Sequence, residues 1–111
     1  MDKQDVDYAK WCIENDIHKF YIWPKWIKTR EEVLMLDRYE CQDCKKRGYI
    51  KRATTVHHNR FVKRYPELSL EIYYHSNGIK KRNLISLCHS CHEARHNYRK
   101  KAINYLTEER W

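Results

Sequence analysis

Residues 87–96 read LCHSCHEARH and hold five side chains of the kinds that bind metals: Cys88, His89, Cys91, His92 and His96. Two more such clusters lie upstream, CQDC at 41–44 and VHH at 56–58. A closed zinc site uses four protein ligands, so these residues exceed the needs of one ion. Cys41-x-x-Cys44 and Cys88-x-x-Cys91 form a natural set. Each CxxC turn brings two thiolates to one side of a tetrahedral ion at about 2.3 Å, and two turns close the tetrahedron. No position stays open, so such a site is structural. Redox use of either pair needs a thioredoxin-like βαβ setting that this sequence lacks. The 43 residues between the pairs (88 − 44 − 1) leave room for VHH and a loop. Cys12, the remaining cysteine, is expected in the core.

With the cysteines assigned, His57, His58, His92 and His96 still need a role. His92 and His96 are spaced i,i+4 and share one helix face. His57 and His58 are neighbours on a strand and point to opposite sides. One of the two can join the helix pair as a third ligand, and the other must aim elsewhere while staying close. That arrangement suits a division of labour, with one imidazole on a metal and its neighbour handling protons. His18, His75 and His89 read as ordinary residues. His89 falls inside the second knuckle, where helical backbone is not expected.

The elements that position these residues follow from periodicity and breakers. Residues 5–17 carry a helical apolar pattern with Asp5 as its cap, and Pro24 opens a second helix running to about Asp37. Their aromatic residues read as core rather than as a base-stacking platform. Gly48 marks a turn in the first knuckle. Residues 53–58 and 83–87 read as strands. Between them, residues 59–82 form a long connection broken at Pro66 and at Asn77-Gly78, with room for a short helix or a strand. A final helix runs from Ser90 to about Leu106.

The chain has 111 residues and a formal charge of +8, from 23 Lys and Arg against 15 Asp and Glu. A small basic domain points to a polyanionic partner, most often nucleic acid. The opening MDKQDVDYAKWC lacks the basic and apolar regions of a secretory signal, and no stretch reaches the roughly 20 apolar residues of a membrane span. A cytosolic, reducing location is therefore expected, which also disfavours disulfides.

YECQDC, ATTVHHNR and NLISLCHSCHEARH together resemble the HNH endonuclease family, in the four-cysteine form common in phage and bacterial genomes. The upstream WPKWIKTREEVLMLDRYECQDC resembles the helix that leads into that motif in small phage members, so the resemblance spans roughly residues 23–98. It implies an α+β fold: a small ββα-metal (His-Me finger) core with a four-cysteine structural zinc site and N-terminal helices. A single nuclease domain over 1–111 is expected, with a helical part at 1–38 and the zinc-knuckle core at 39–106. His57 matches a ligand of the catalytic metal, His58 the general base, and His92 the final ligand position, with His96 a further ligand. Asn83 matches the central Asn, counted with the catalytic residues because it holds the strand-connecting loop in shape. The strand connection, with EIYYHSNGIKKRN, is longer than in many members, which bears on substrate preference.

The implied reaction is phosphodiester hydrolysis of DNA, leaving a 5′-phosphate and a 3′-hydroxyl. The implied cofactors are a structural Zn²⁺ and a catalytic divalent ion: Mg²⁺, Mn²⁺, or one of Zn²⁺, Ni²⁺ and Co²⁺, which suit imidazole. Lys80, Lys81, Arg82, Arg95 and Arg99 lie beside the motif and are expected to grip the DNA backbone. The phage resemblance implies action in the cytoplasm of a bacterial host, with a terminase as a partner. Two other classes compete: a non-catalytic zinc-binding DNA-binding module and a protein-interaction zinc module. An intact His58 argues against the first, and four histidines outside a complete cysteine set argue against the second.

Overall fold

Asp2, rather than Asp5, caps the first helix: its carboxylate accepts the Asp5 N–H at 2.8 Å. Helix α1 spans Lys3–Asn15, and Asp16 then caps a short second helix, α2, Ile17–Tyr21. The pattern over 5–17 predicts a helix ending near Ile17 with no second helix before Pro24; the break comes earlier, at Asp16, whose extended backbone ends the first helix and whose side chain caps the second, a role it suits better than a helix interior. Pro24 opens α3, Pro24–Leu36, as its fixed φ and missing N–H favour. Arg38 and Tyr39 follow with φ of 54° and 57°, and the Tyr39 N–H closes the helix on the Leu34 carbonyl at 2.8 Å. The computed structural model describes the backbone of residues 1–103 and the side chains of residues 1–96.

The first knuckle carries a one-turn helix, α4, Gln42–Lys46, and reverses at Gly48, where φ is +83°. Strand β1, Thr55–His58, pairs antiparallel with β4, Leu84–Leu87, and α5, His89–Ile103, follows directly. The helix thus begins one residue before Ser90 and includes His89. Residues 104–106 of the expected final helix lie outside the described backbone, and the Arg99 side chain lies outside the described side chains.

The connection between the core strands holds a 3₁₀ turn at Pro66–Leu68 and a hairpin, β2 Tyr73–Ser76 with β3 Ile79–Arg82. Asn77 and Gly78 both have positive φ, 53° and 76°. This is the backbone that a two-residue hairpin turn demands and Asn-Gly supplies.

Period-two alternation divides the core. Val56, His58, Leu84 and Ser86 face α2 and α3; Val56 and Leu84 join Phe20, Trp26 and Val33 in one apolar cluster. Thr55, His57, Ile85 and Leu87 face the other way, where Ile85 and Leu87 pack with the four cysteines. Buried Asp37 ties the helical layer to the sheet. It receives two bonds from the Arg82 guanidinium, at 3.0 and 2.9 Å, and the Ser86 N–H at 3.0 Å. Arg95 forks in the same way onto Asp43, at 2.8 and 2.7 Å, and reaches Asn59 at 2.9 Å. The Arg95 guanidinium holds the Asp43 carboxyl below the usual carboxylate range. That contribution to stability is present above the ordinary carboxylate value and is lost as pH falls through the lowered folded value. Arg82 and Arg95 were grouped with the cations offered to DNA. In the fold both are forked onto carboxylates of their own chain.

Candidate active site and metal centres

The four cysteines converge as their spacing predicts. Cys41, Cys44, Cys88 and Cys91 are all buried, and their sulfurs lie within 4.8 Å of one another. Cys44 Sγ is 3.9 Å from Cys88 Sγ and 3.6 Å from Cys91 Sγ. Four sulfurs about 2.3 Å from a tetrahedral zinc would stand about 3.8 Å apart, so the geometry fits that ion. The chemistry agrees. Burial pushes the Cys91 thiol up to about 12. At Cys88 burial acts in the same direction, but the Ser90 hydroxyl and the Cys91 N–H outweigh it and bring the thiol down to about 6. Sulfurs this crowded ionise together only around a cation, which deprotonates the thiols it binds. Arg47 supports the cluster from outside, its Nη2 lying 3.1 Å from Cys91 Sγ and 3.7 Å from Cys44 Sγ. Cys12 is fully buried in the helical core, as expected.

A second cluster forms on the α5 face of the sheet. His57, His92 and His96 place one nitrogen each within 4.8 Å of one another. Ring centroids lie 4.2 Å apart for His92 and His96, and 5.5 and 6.1 Å from His57. The i,i+4 pair supplies one wall and the strand the other. Three imidazoles fit a divalent ion with positions left for water and substrate oxygens. His89, on the solvent side of the helix, pairs with Glu93 at 3.1 Å and takes no part.

His58 projects from the opposite face of β1. Its ring stacks on Trp26 with centroids 4.7 Å apart and planes at 25°, and Phe20 lies beside it at 6.0 Å. Nε2 is 3.0 Å from the Ser69 carbonyl. A carbonyl only accepts, so Nε2 carries the hydrogen, and the neutral ring keeps its lone pair on Nδ1. Although the two histidines leave β1 in opposite directions, both line one cleft of about 280 Å³, together with Tyr21, Trp26, Arg30, His92 and His96. This is possible because β1 is paired on one side only. The cleft follows its other edge, where the two faces meet.

Asn83 is fully buried below this arrangement and does not line the cleft. Its Nδ2 donates to the Leu68 and Glu71 carbonyls at 2.8 and 3.0 Å, and its Oδ1 accepts the Arg60 N–H at 2.9 Å. Leu68 and Glu71 bracket Ser69, so Asn83 holds the loop whose carbonyl orients His58. Asn83→Ala should remove the partner of three half-buried backbone groups and cost about 2 kcal/mol. A fall in Tm of the order of 10 °C is expected, with DNA affinity less affected than cleavage. Unchanged thermal unfolding would show that the loop is held by other means.

Lys80 and Lys81 are exposed on β3, with the Lys80 ammonium 4.2 Å from the centre of the Tyr73 ring. Sequence reasoning missed three features of the site: the Trp26 stack, the Ser69 carbonyl and the presence of Arg30 at the cleft. Helical periodicity places Trp26 and Arg30 on one face of α3 but does not say what that face meets.

No helix among the described residues is long and apolar enough to cross a membrane. No protein-family model and no curated protein matches the chain. Among solved structures, the chain is similar to the crystal structure of an HNH endonuclease from the deep-sea thermophilic bacteriophage GVE2, with manganese ion. The identity is 30% and the TM-score 0.69, and the match covers 92% of this chain and 98% of the phage protein. A likeness of that extent, added to the two strands, the following helix and the four-cysteine cluster, places the chain in the HNH endonuclease family.

Proposed function

We propose that residues 1–111 act as one nuclease domain that hydrolyses DNA phosphodiester bonds, with His58 as general base and His57, His92 and His96 as the holders of a divalent ion. One observation carries this reading. A three-imidazole cluster and a neighbouring histidine of defined tautomer open onto the same cleft, from opposite faces of one strand edge. Such a histidine has no use in a binding module.

In this mechanism Nδ1 of His58 takes a proton from water as the water attacks phosphorus. The Nε2–H bond to Ser69 keeps the ring in the accepting tautomer and stabilises the imidazolium that results. Trp26 fixes the plane of the ring. The divalent ion, when bound, supplies charge stabilisation to the phosphate oxygens and the leaving 3′ oxygen. Mn²⁺ is the first candidate, since the phage GVE2 structure contains it. Mg²⁺, Zn²⁺, Ni²⁺ and Co²⁺ follow. Cys41, Cys44, Cys88 and Cys91 would hold a structural Zn²⁺. From the phage likeness, the reading also takes the cytoplasm of a bacterial host as the place of action, with a terminase as a partner in DNA packaging.

The test is nicking or linearisation of supercoiled plasmid with added metal. Cleavage is expected with Mn²⁺, loss of cleavage in mild EDTA without unfolding, and recovery on adding Mn²⁺ or Mg²⁺. Plasmid that is bound but left intact with all five ions would favour the non-catalytic zinc module.

A further inference from the structure

Among the described residues, Arg30 is the one Lys or Arg side chain lining the cleft that holds the four histidines. It lies one helical turn after Trp26 on α3, outside the motif segments. Its Nη2 donates to the Thr54 carbonyl at 3.0 Å, just before β1, and its Nη1 meets Glu31 at 3.2 Å. A guanidinium has five N–H donors, so these two bonds leave three directed elsewhere. Arg82 and Arg95 differ: each is forked onto a carboxylate inside the protein. Thr54 precedes His57 by three residues of nearly extended chain, about 10 Å. The guanidinium is therefore displaced from the three-imidazole cluster along the β1 edge, and the Thr54 carbonyl aims it.

From this geometry we infer that Arg30 is a substrate-binding residue that holds a DNA phosphate flanking the scissile one, setting how the strand is registered over the histidines. A planar fork with spare donors suits a phosphate oxygen pair, and a cation lining the cleft complements a polyanionic strand. The inference rests on the nuclease reading above.

The test is a methylphosphonate scan. Oligonucleotide duplexes carry one neutral linkage at a time around the cleavage site, and are cut by the parent protein and by Arg30→Gln. In the parent, neutralising the contacted phosphate is expected to slow cleavage about tenfold or more. In Arg30→Gln the same neutral linkage should have no further effect, while the linkages elsewhere keep theirs. The slope of log affinity against log salt should also fall by about 0.7–0.9, one phosphate contact. Lys10→Gln, on α1, should leave the scan unchanged. If Arg30→Gln does not fold, Arg30→Lys serves instead, and the penalty at that one linkage should shrink. Identical scans in parent and variant would overturn the contact while leaving the nuclease reading intact. A parent that cuts no duplex with any metal would remove both.

Discussion

His58→Gln should keep the fold, the zinc and the DNA affinity of the parent, and lose cleavage by at least the order of 10²-fold, the contribution typical of a general base. His58 is buried against Trp26, so His58→Ala should lose cleavage equally but unfold at lower temperature. It leaves a cavity there and strands the Ser69 carbonyl, whereas glutamine can still donate to that oxygen. His57→Ala should fail differently. It removes one of three nitrogens converging from β1 and α5, so affinity for the second ion should fall along with activity. Raising the metal concentration should partly restore His57→Ala and leave both His58 variants inactive. Single-turnover cleavage measured across a Mn²⁺ titration separates the cases. Rescue of the His58 variants alone would mean that the two roles are exchanged, and normal cleavage in all three would end the nuclease assignment of this cleft.

Cys88→Ala should abolish tight zinc binding and cooperative folding together. Binding free energies for structural zinc run to about 10–16 kcal/mol, while a whole domain is stable by only about 5–15 kcal/mol. Cys88 lies at the junction of β4 and α5, so its loss also loosens the helix that carries His92 and His96. Circular dichroism melting and zinc content by mass spectrometry provide the readouts. Retention of one tightly held zinc at parental stability would mean that the four sulfurs are not the metal site. By contrast, mild EDTA should strip only the histidine-held ion, because that site keeps open positions and the cysteine site does not.

Much of this site follows from local chemistry. The CxxC pairs declare themselves by residue type and spacing, since thiolates separated by two residues in a tight turn reach one ion whatever surrounds them. His92 and His96 share a face because a helix repeats every 3.6 residues, and His57 and His58 diverge because a strand repeats every two. Pro24 marks a helix start for a similarly local reason. The Asn77-Gly78 hairpin was also legible, although the sequence reading treats the pair only as a breaker. Both residues accept positive φ, which the two-residue turn requires. Asp16, at the end of the helix read over 5–17, likewise carries a side chain suited to capping the short helix that follows.

What local chemistry does not contain is the choice of partners across long stretches of chain. Arg82 and Arg95 read as surface cations until Asp37 and Asp43, 45 and 52 residues away, receive them. The tautomer of His58 is set by a carbonyl 11 residues on, in a loop whose shape depends on Asn83. Trp26 and Arg30 reach the site only because α3 packs along β1. Spacing can state which groups share a turn of helix or a face of strand, because those distances are set by the covalent chain. Which element a face packs against is set by burial of apolar surface over the whole domain, a non-directional force that no short window of sequence contains.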